Sequence, residues 1–280
     1  MRSFHRSAIL VVLGVFAVGC SPSAEPANDG YVPGAAESAG LDYRLDYSTQ
    51  HFSDPVDELA LTWEEESTLN FAAGIALAAC MEEAGTAPGP VYDRRKELSE
   101  MADRSIGVWS EEYAAAYGYM PPPDSDGKLA LLSADNGDAY QAVKTRCRDD
   151  KDYVKFAGVA REYTDELKPR VEAGALSDPA AEAELDDKWR SCLDDHSVSI
   201  PDEDYVPRGL GSMSKEEEIR IALIDVDCKA TTGYVESWAE YSSDLLAPAI
   251  ELHRSEIDDF RKRAEPVIEE AREVIREYES

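Results

Sequence analysis

Apolar residues recur every three or four positions along most of this chain, the rhythm of amphipathic helices rather than of alternating strands. Asp54 can cap a helix that carries Pro55 at its first position. Val56, Leu59, Trp63, Leu69, Ala72, Ala76 and Cys80 then keep the spacing until Gly85 stops it. Residues 86–92, with Pro88 and Pro90, read as a loop, and the charged stretch 93–104 as a short helix. Ser110 opens another helix, cut off by Gly118 and the prolines at 121–123. A long helix is expected from about 134 through Cys147 to Leu167, stopping before Pro169. Asp178 and Pro179 open a helix that carries Trp189 and Cys192 and ends near His196, and 200–213 is a loop. Ser214 and Glu217 match a capping box. The stretch 219–228 also alternates like a strand, but the capping serine and the flanking acids favour a helix.

The last stretch is the most regular. Leu246, Ile250, His253, Ile257, Phe260, Ala264, Val267, Ala271, Val274 and Tyr278 step by four and three, a stripe that packs on partner helices. A long helix covering the rest of its own domain is favoured over pairing between chains, with a helical hairpin or coiled-coil seam as the other forms of the same stripe. Pro248 and Pro266 predict kinks or a break. The fold class expected is therefore all-α.

The two ends of the N-terminal region differ sharply. Arg2 and Arg6 precede an apolar run at 8–18, too short to span a bilayer, which needs about 20 residues. Small residues then lead to Cys20, so 1–19 reads as an export signal. The stretch resembles the lipobox of bacterial lipoproteins, although Ala17 stands where leucine is commonest. That resemblance implies a lipid on the thiol of Cys20 and a place on the extracytoplasmic face of the cell membrane. Residues 20–45 are rich in Ser, Ala, Pro and Gly and read as a flexible tether. The folded part, 46–280, is expected to be one helical domain, with 46–170 and 171–280 as candidate halves.

Export changes the reading of the cysteines. Setting Cys20 aside leaves Cys80, Cys147, Cys192 and Cys228, an even set with no C-x-x-C spacing, which points to two disulfides. Three pairings are open. The sequential one, Cys80–Cys147 and Cys192–Cys228, is favoured because each half then repeats one plan: a helix ending near its first cysteine and a later helix returning the second. Each bridge would contribute roughly 4 kcal/mol by loop entropy. The architecture expected is an irregular bundle of disulfide-stapled helix pairs with a long C-terminal helix or hairpin.

Charge narrows the partners. With 28 basic and 58 acidic residues the formal net charge is −30, which disfavours nucleic acid and anionic lipid and leaves cations and envelope proteins. An acidic solvated coat is the commonest use of such a balance.

Catalytic signatures fail one by one. No Gly-x-Ser-x-Gly elbow is present. Ser-x-x-Lys occurs at Ser125 to Lys128 and Ser212 to Lys215, in polar surroundings unsuited to a desolvated lysine. His51, His196 and His253 lack zinc spacing. Asp124, Asp126 and Gly127 resemble part of a calcium loop whose ends, Pro122 and Ser133, do not fit. Asp135 and Asp138 read as turn and cap. Gly209 and Gly211 lack a third glycine and a preceding strand. Trp63, Trp109, Trp189 and Trp238 read as core, although an indole facing a cleft would point to a sugar or peptide platform. No catalytic residue, metal ligand or cofactor is assigned.

The lipobox, ACMEEAG at 79–85, SEEYAAAYGY at 110–119 and DVDCKATTGY at 225–234 together resemble a group of exported helical lipoproteins from actinobacteria. The resemblance implies an envelope location and brings no active site. The expected function is a lipid-anchored, non-catalytic binding or scaffold component of the cell envelope. The alternative is an envelope hydrolase using a carboxylate pair, which requires a concave pocket holding two acids of raised pKa.

Overall fold

Side-chain caps and a few backbone turns decide where the elements of this chain begin. The computed structural model describes residues 31–96, 102–120, 137–201 and 204–280. Cys20, the expected export signal at 1–19 and the candidate residues between 121 and 136 lie outside the described residues. α1 (Ala35–Ser38) is a single turn held from outside: Asp244 accepts from the backbone N–H groups of Gly34 and Ala36, both at 2.8 Å. Ala36 and Leu41 are buried. The expected tether at 20–45 is thus too long at its C-terminal end, since at least 34–41 is bound to the body by polar and apolar contacts that composition does not reveal.

A small antiparallel hairpin follows, β1 (Arg44–Asp46) and β2 (His51–Ser53), with Leu45 opposite Phe52. Gln50 enters β2 with a positive φ of 56°. Its buried amide makes up for that strain. Nε2 donates to the carbonyls of Asp103 and Gly107, and Oε1 accepts from the N–H groups of Trp109 and Ser110. One side chain therefore fastens the hairpin to the 102–110 segment.

The first long helical stretch is two helices, not one. α2 (Pro55–Leu59) ends at Ala60, and Thr62 restarts the chain as α3 (Trp63–Glu83), its hydroxyl accepting from Glu65 N–H while Glu65 reaches back to Thr62 N–H. Within 93–104 the described residues form only a 3-10 turn, Arg94–Lys96, and 102–104 have no regular structure. α4 (Glu111–Tyr117) starts on the Ser110 cap and stops at Gly118, as expected.

The expected 134–167 helix is divided into α5 (Gly137–Cys147) and α6 (Lys151–Arg161), because Asp150 caps a new start. It also runs further than expected. A π turn, Glu162–Leu167, widens the helix just before Pro169, with Lys168 N–H bonded to the carbonyl of Tyr163, and α7 (Lys168–Glu172) continues through the proline. α8 (Pro179–Asp195) and α9 (Lys215–Thr232) begin at the predicted Asp178 and Ser214 caps. Only half of the Ser214 box forms, since Glu217 pairs with Arg220 instead.

α10 (Tyr234–Tyr278) is one helix of 45 residues that passes through Pro248 and Pro266, so of the expected kinks or break, the break does not occur. Its stripe explains why: Ile250, Ile257, Ala264 and Ala271 are fully buried, and each isoleucine contributes roughly 1.5–3 kcal/mol, which offsets a lost helical hydrogen bond. Leu176 N–H also donates to the Leu245 carbonyl, beside the acceptor that Pro248 leaves unused.

The fold is all-α, with Cys80–Cys147 joining α3 to α5 and Cys192–Cys228 joining α8 to α9, the sequential pairing. Its two apolar cores do not follow the candidate halves at 170 and 171. One core gathers α1 to α3, α6, α7 and the C-terminal part of α10; the other gathers Phe52, the 106–119 segment, α8, α9 and the start of α10. Chain from both halves enters each, and α10 spans the two. Among the described residues no helix is long and apolar enough to cross a membrane.

Candidate functional site

Two lysine–carboxylate clusters stand out. In the second core, Asp225 and Lys229 lie one turn apart on α9 and are both fully buried. The Lys229 ammonium donates to Asp225 Oδ2 at 3.1 Å and to the carbonyls of Ile106 and Val108 at 2.7 and 2.8 Å, and it lies 4.9 Å from the centre of the Trp189 ring. Gly107, at φ +77°, turns the chain so that both carbonyls converge. A β-carbon there would come within 2.5 Å of the Tyr205 carbonyl. Trp189 Nε1 and Tyr119 Oη donate to Asp225 at 2.7 and 3.0 Å. Burial pushes Asp225 up and Lys229 down, each opposed by the other. Three acceptors around Nζ use all three ammonium protons, so the cluster is an internally satisfied cross-link between α9 and the 106–108 segment.

The other cluster opens to solvent. Asp54 and Asp57 form the N-terminal capping box of α2, in which Asp54 Oδ1 accepts from the N–H groups of Val56 and Asp57 and Asp57 Oδ2 accepts from Asp54 N–H. The remaining oxygens face α7: Lys168 lies 3.0 Å from Asp54 Oδ2 and 2.7 Å from Asp57 Oδ1, and Tyr163 donates its phenol to the same Oδ1. Glu172 lies 3.9 Å from the same ammonium.

Burial, with Asp54 beside it, raises Asp57, while Lys168 opposes the shift. Burial alone would lower Lys168, but Asp54 and Asp57 hold it above its ordinary value. Burial and then Asp57 raise the Tyr163 phenol, and burial raises Glu172.

Asp57, Tyr163, Lys168 and Glu172 line a cavity of about 370 Å³, within the range of small-molecule sites. The lining also carries aromatic side chains. His51 and Phe52 come from β2 and Trp63 from the first turn of α3, and the rings of His51 and Trp63 lie 5.6 Å apart at 54°. Arg94, paired with Glu66, lies over the indole 5.5 Å from its centre without lining the cavity. The Gln50 clamp fixes this part of the lining, because it ties β2 to the segment carrying Asp103, which also lines the cavity.

A larger cavity of about 430 Å³, lined by Glu37, Asp42, Tyr43, Glu240 and Asp244, is acidic, and Asp244 is spent on holding α1. His196 lies with Cys192 and Cys228, the donor atoms within 4.8 Å of one another, but the two sulfurs are joined in a disulfide. Ser212 and Lys215 stand at the surface, Lys215 bonded to the Tyr117 carbonyl, so they form no nucleophile pair. Trp109 and Trp189 are core, as expected, while Trp63 and Trp238 are only partly buried.

The sequence marks Asp54 only as a cap, and Trp63 as core unless it faces a cleft, as it does here. The Asp-x-x-Asp spacing at the cap, and a lysine directly before Pro169, are the signals that mark the site.

No protein-family model, no curated protein and no solved structure matches the chain significantly.

Proposed function

We propose that this protein works by binding, as a lipid-anchored component of the extracytoplasmic membrane face held through Cys20, with the cavity between β2, α2, α3 and the π turn as its recognition site. One observation carries the reading: a single cavity is lined both by carboxylate, ammonium and phenol groups and by the rings of His51, Phe52 and Trp63. The two disulfides accord with an oxidising location, and the acidic surface favours envelope proteins or cations as further partners.

One specific observation favours a hydrolase as the second reading, since Asp57 and Glu172 are both raised acids lining one pocket. Lys168 weighs against it. Its ammonium sits 2.7 Å from one carboxylate and 3.9 Å from the other, occupying the place between them that a scissile bond would need.

Mass spectrometry of cell-wall glycan and ester substrates incubated with the purified protein decides between the readings. Binding predicts no product from either wild type or Glu172→Gln. Product from wild type that disappears in Glu172→Gln overturns it. Separately, Cys20→Ala should move the protein from the membrane to the soluble fraction, and retention in the membrane would remove the anchor from the proposal.

A further inference from the structure

The cavity lining combines aromatic and charged groups in a way that selects a ligand, and this inference rests on the binding reading above. We propose that the site recognises a neutral saccharide, with a sugar ring against Trp63 and its hydroxyls directed at Glu172, Asp57 and Lys168. A pyranose has an apolar face of C–H groups and a rim of hydroxyls that both donate and accept. The cavity presents the complement of each: an indole with an imidazole angled beside it, and in the same lining carboxylates that accept and an ammonium that donates.

Charge excludes the anionic alternatives. The lining carries Asp57, Glu66, Asp103 and Glu172 against Lys168 and His51, and Lys168 is already shared by Asp54 and Asp57. A phosphate, a sulfate or a uronic acid would meet that excess without a free cation. A purely apolar ligand fails for a different reason, since it would strip water from Lys168 and Glu172 and offer no hydrogen bond in return.

Glu172 is the adaptable member. Its side chain is 46% exposed and only 3.9 Å from the ammonium, so it can turn toward a hydroxyl without breaking the Asp54–Lys168–Asp57 frame. Trp63 is the fixed member, set by the Thr62 cap and covered by Arg94 from outside the cavity.

Saturation-transfer NMR with the full-length protein tests this with named probes: N,N′-diacetylchitobiose, maltose and mannobiose as neutral sugars, glucuronic acid as the anion, and spermidine and a neutral tripeptide as other classes. At least one neutral disaccharide should bind, glucuronic acid should not, and affinity should fall about tenfold or more in Trp63→Leu and several-fold in Glu172→Gln. Glu172→Gln lies at a half-exposed site and keeps the fold, so it stays informative if Trp63→Leu does not fold. If spermidine or the tripeptide binds and both variants weaken it while no sugar binds, the saccharide assignment is wrong and the binding site stands. If no probe of any class binds, or binding ignores both variants, both proposals fall together. Cleavage of a bound disaccharide sinks the binding reading and leaves the sugar assignment in place.

Discussion

Lys229 and Lys168 are held by aspartates at nearly the same distances, and they differ in what lies on their other side. Behind Lys229 stand two carbonyls and an indole, and no surface of it reaches water. Beside Lys168 lies a cavity, two acids in addition to Asp57, namely Asp54 and Glu172, and enough space to leave its side chain 26% exposed. The first arrangement has a matched donor for every acceptor and can only hold the fold. The second has more carboxylate than ammonium and one side free to meet a ligand. A lysine–aspartate pair is thus uninformative about function until its unmatched charge and its open side are known.

Removing each lysine breaks that comparison most directly. Lys229→Met leaves Asp225 buried with no counter-charge and two carbonyls without their donor, which should cost about 3–5 kcal/mol in urea unfolding. Adding Asp225→Leu should return part of that loss, because a buried pair exchanged for apolar groups is often nearly neutral. Lys168→Met should cost less, about 1–2 kcal/mol, since Lys168 is itself partly exposed and Asp57, unlike Asp225, lines a cavity open to water. Equal losses from the two single variants would show that the open cluster is as structural as the closed one.

The same contrast explains what the chain reveals before it is folded. Helices announce themselves by spacing and caps, so Asp54, Ser110, Asp178 and Ser214 all open the elements expected of them, and the shared plan of the two cysteine pairs points to the pairing observed. Breaks inside a good rhythm are less visible. Thr62 and Asp150 restart helices whose apolar spacing continues across the gap, and only the cap chemistry separates them.

The helices that continue past prolines have the opposite origin. Pro169, Pro248 and Pro266 are local stop signals overruled by burial of Val171, Ile250 and Ile268, each two residues beyond its proline. The site was hardest to see because its parts come from β2, α2, α3, the π turn and α7. No window of sequence contains them, and the hairpin that supplies two of its rings rests on Gln50, whose strained backbone is made tolerable by contacts more than fifty residues away.

Acid should separate the structural and cavity carboxylates by sign, with the smallest effect of those expected here. Glu65, on α3, takes two bonds from Arg261 on α10, at 2.5 and 3.0 Å, which links the two longest helices of the first core. Burial pushes Glu65 up, but the Arg261 bonds outweigh it and hold the carboxyl below its ordinary value. A carboxylate lowered in the folded state stabilises above its unfolded pKa, about 4.3, and that contribution is lost as pH falls through the folded value. Asp57 and Glu172 are raised, so the folded state binds their protons first and gains stability as pH falls toward the unfolded values. With Arg261 37% exposed, screening limits the Glu65 term to about 1 kcal/mol. Glu65→Gln should therefore lie about 1 kcal/mol below wild type in urea unfolding at pH 7, with the gap closing below about pH 4. Glu172→Gln should show the reverse, any advantage over wild type at pH 7 vanishing on acidification. A Glu65 gap that widens in acid would mean that burial, and not Arg261, governs this carboxylate, placing it with the cavity acids instead.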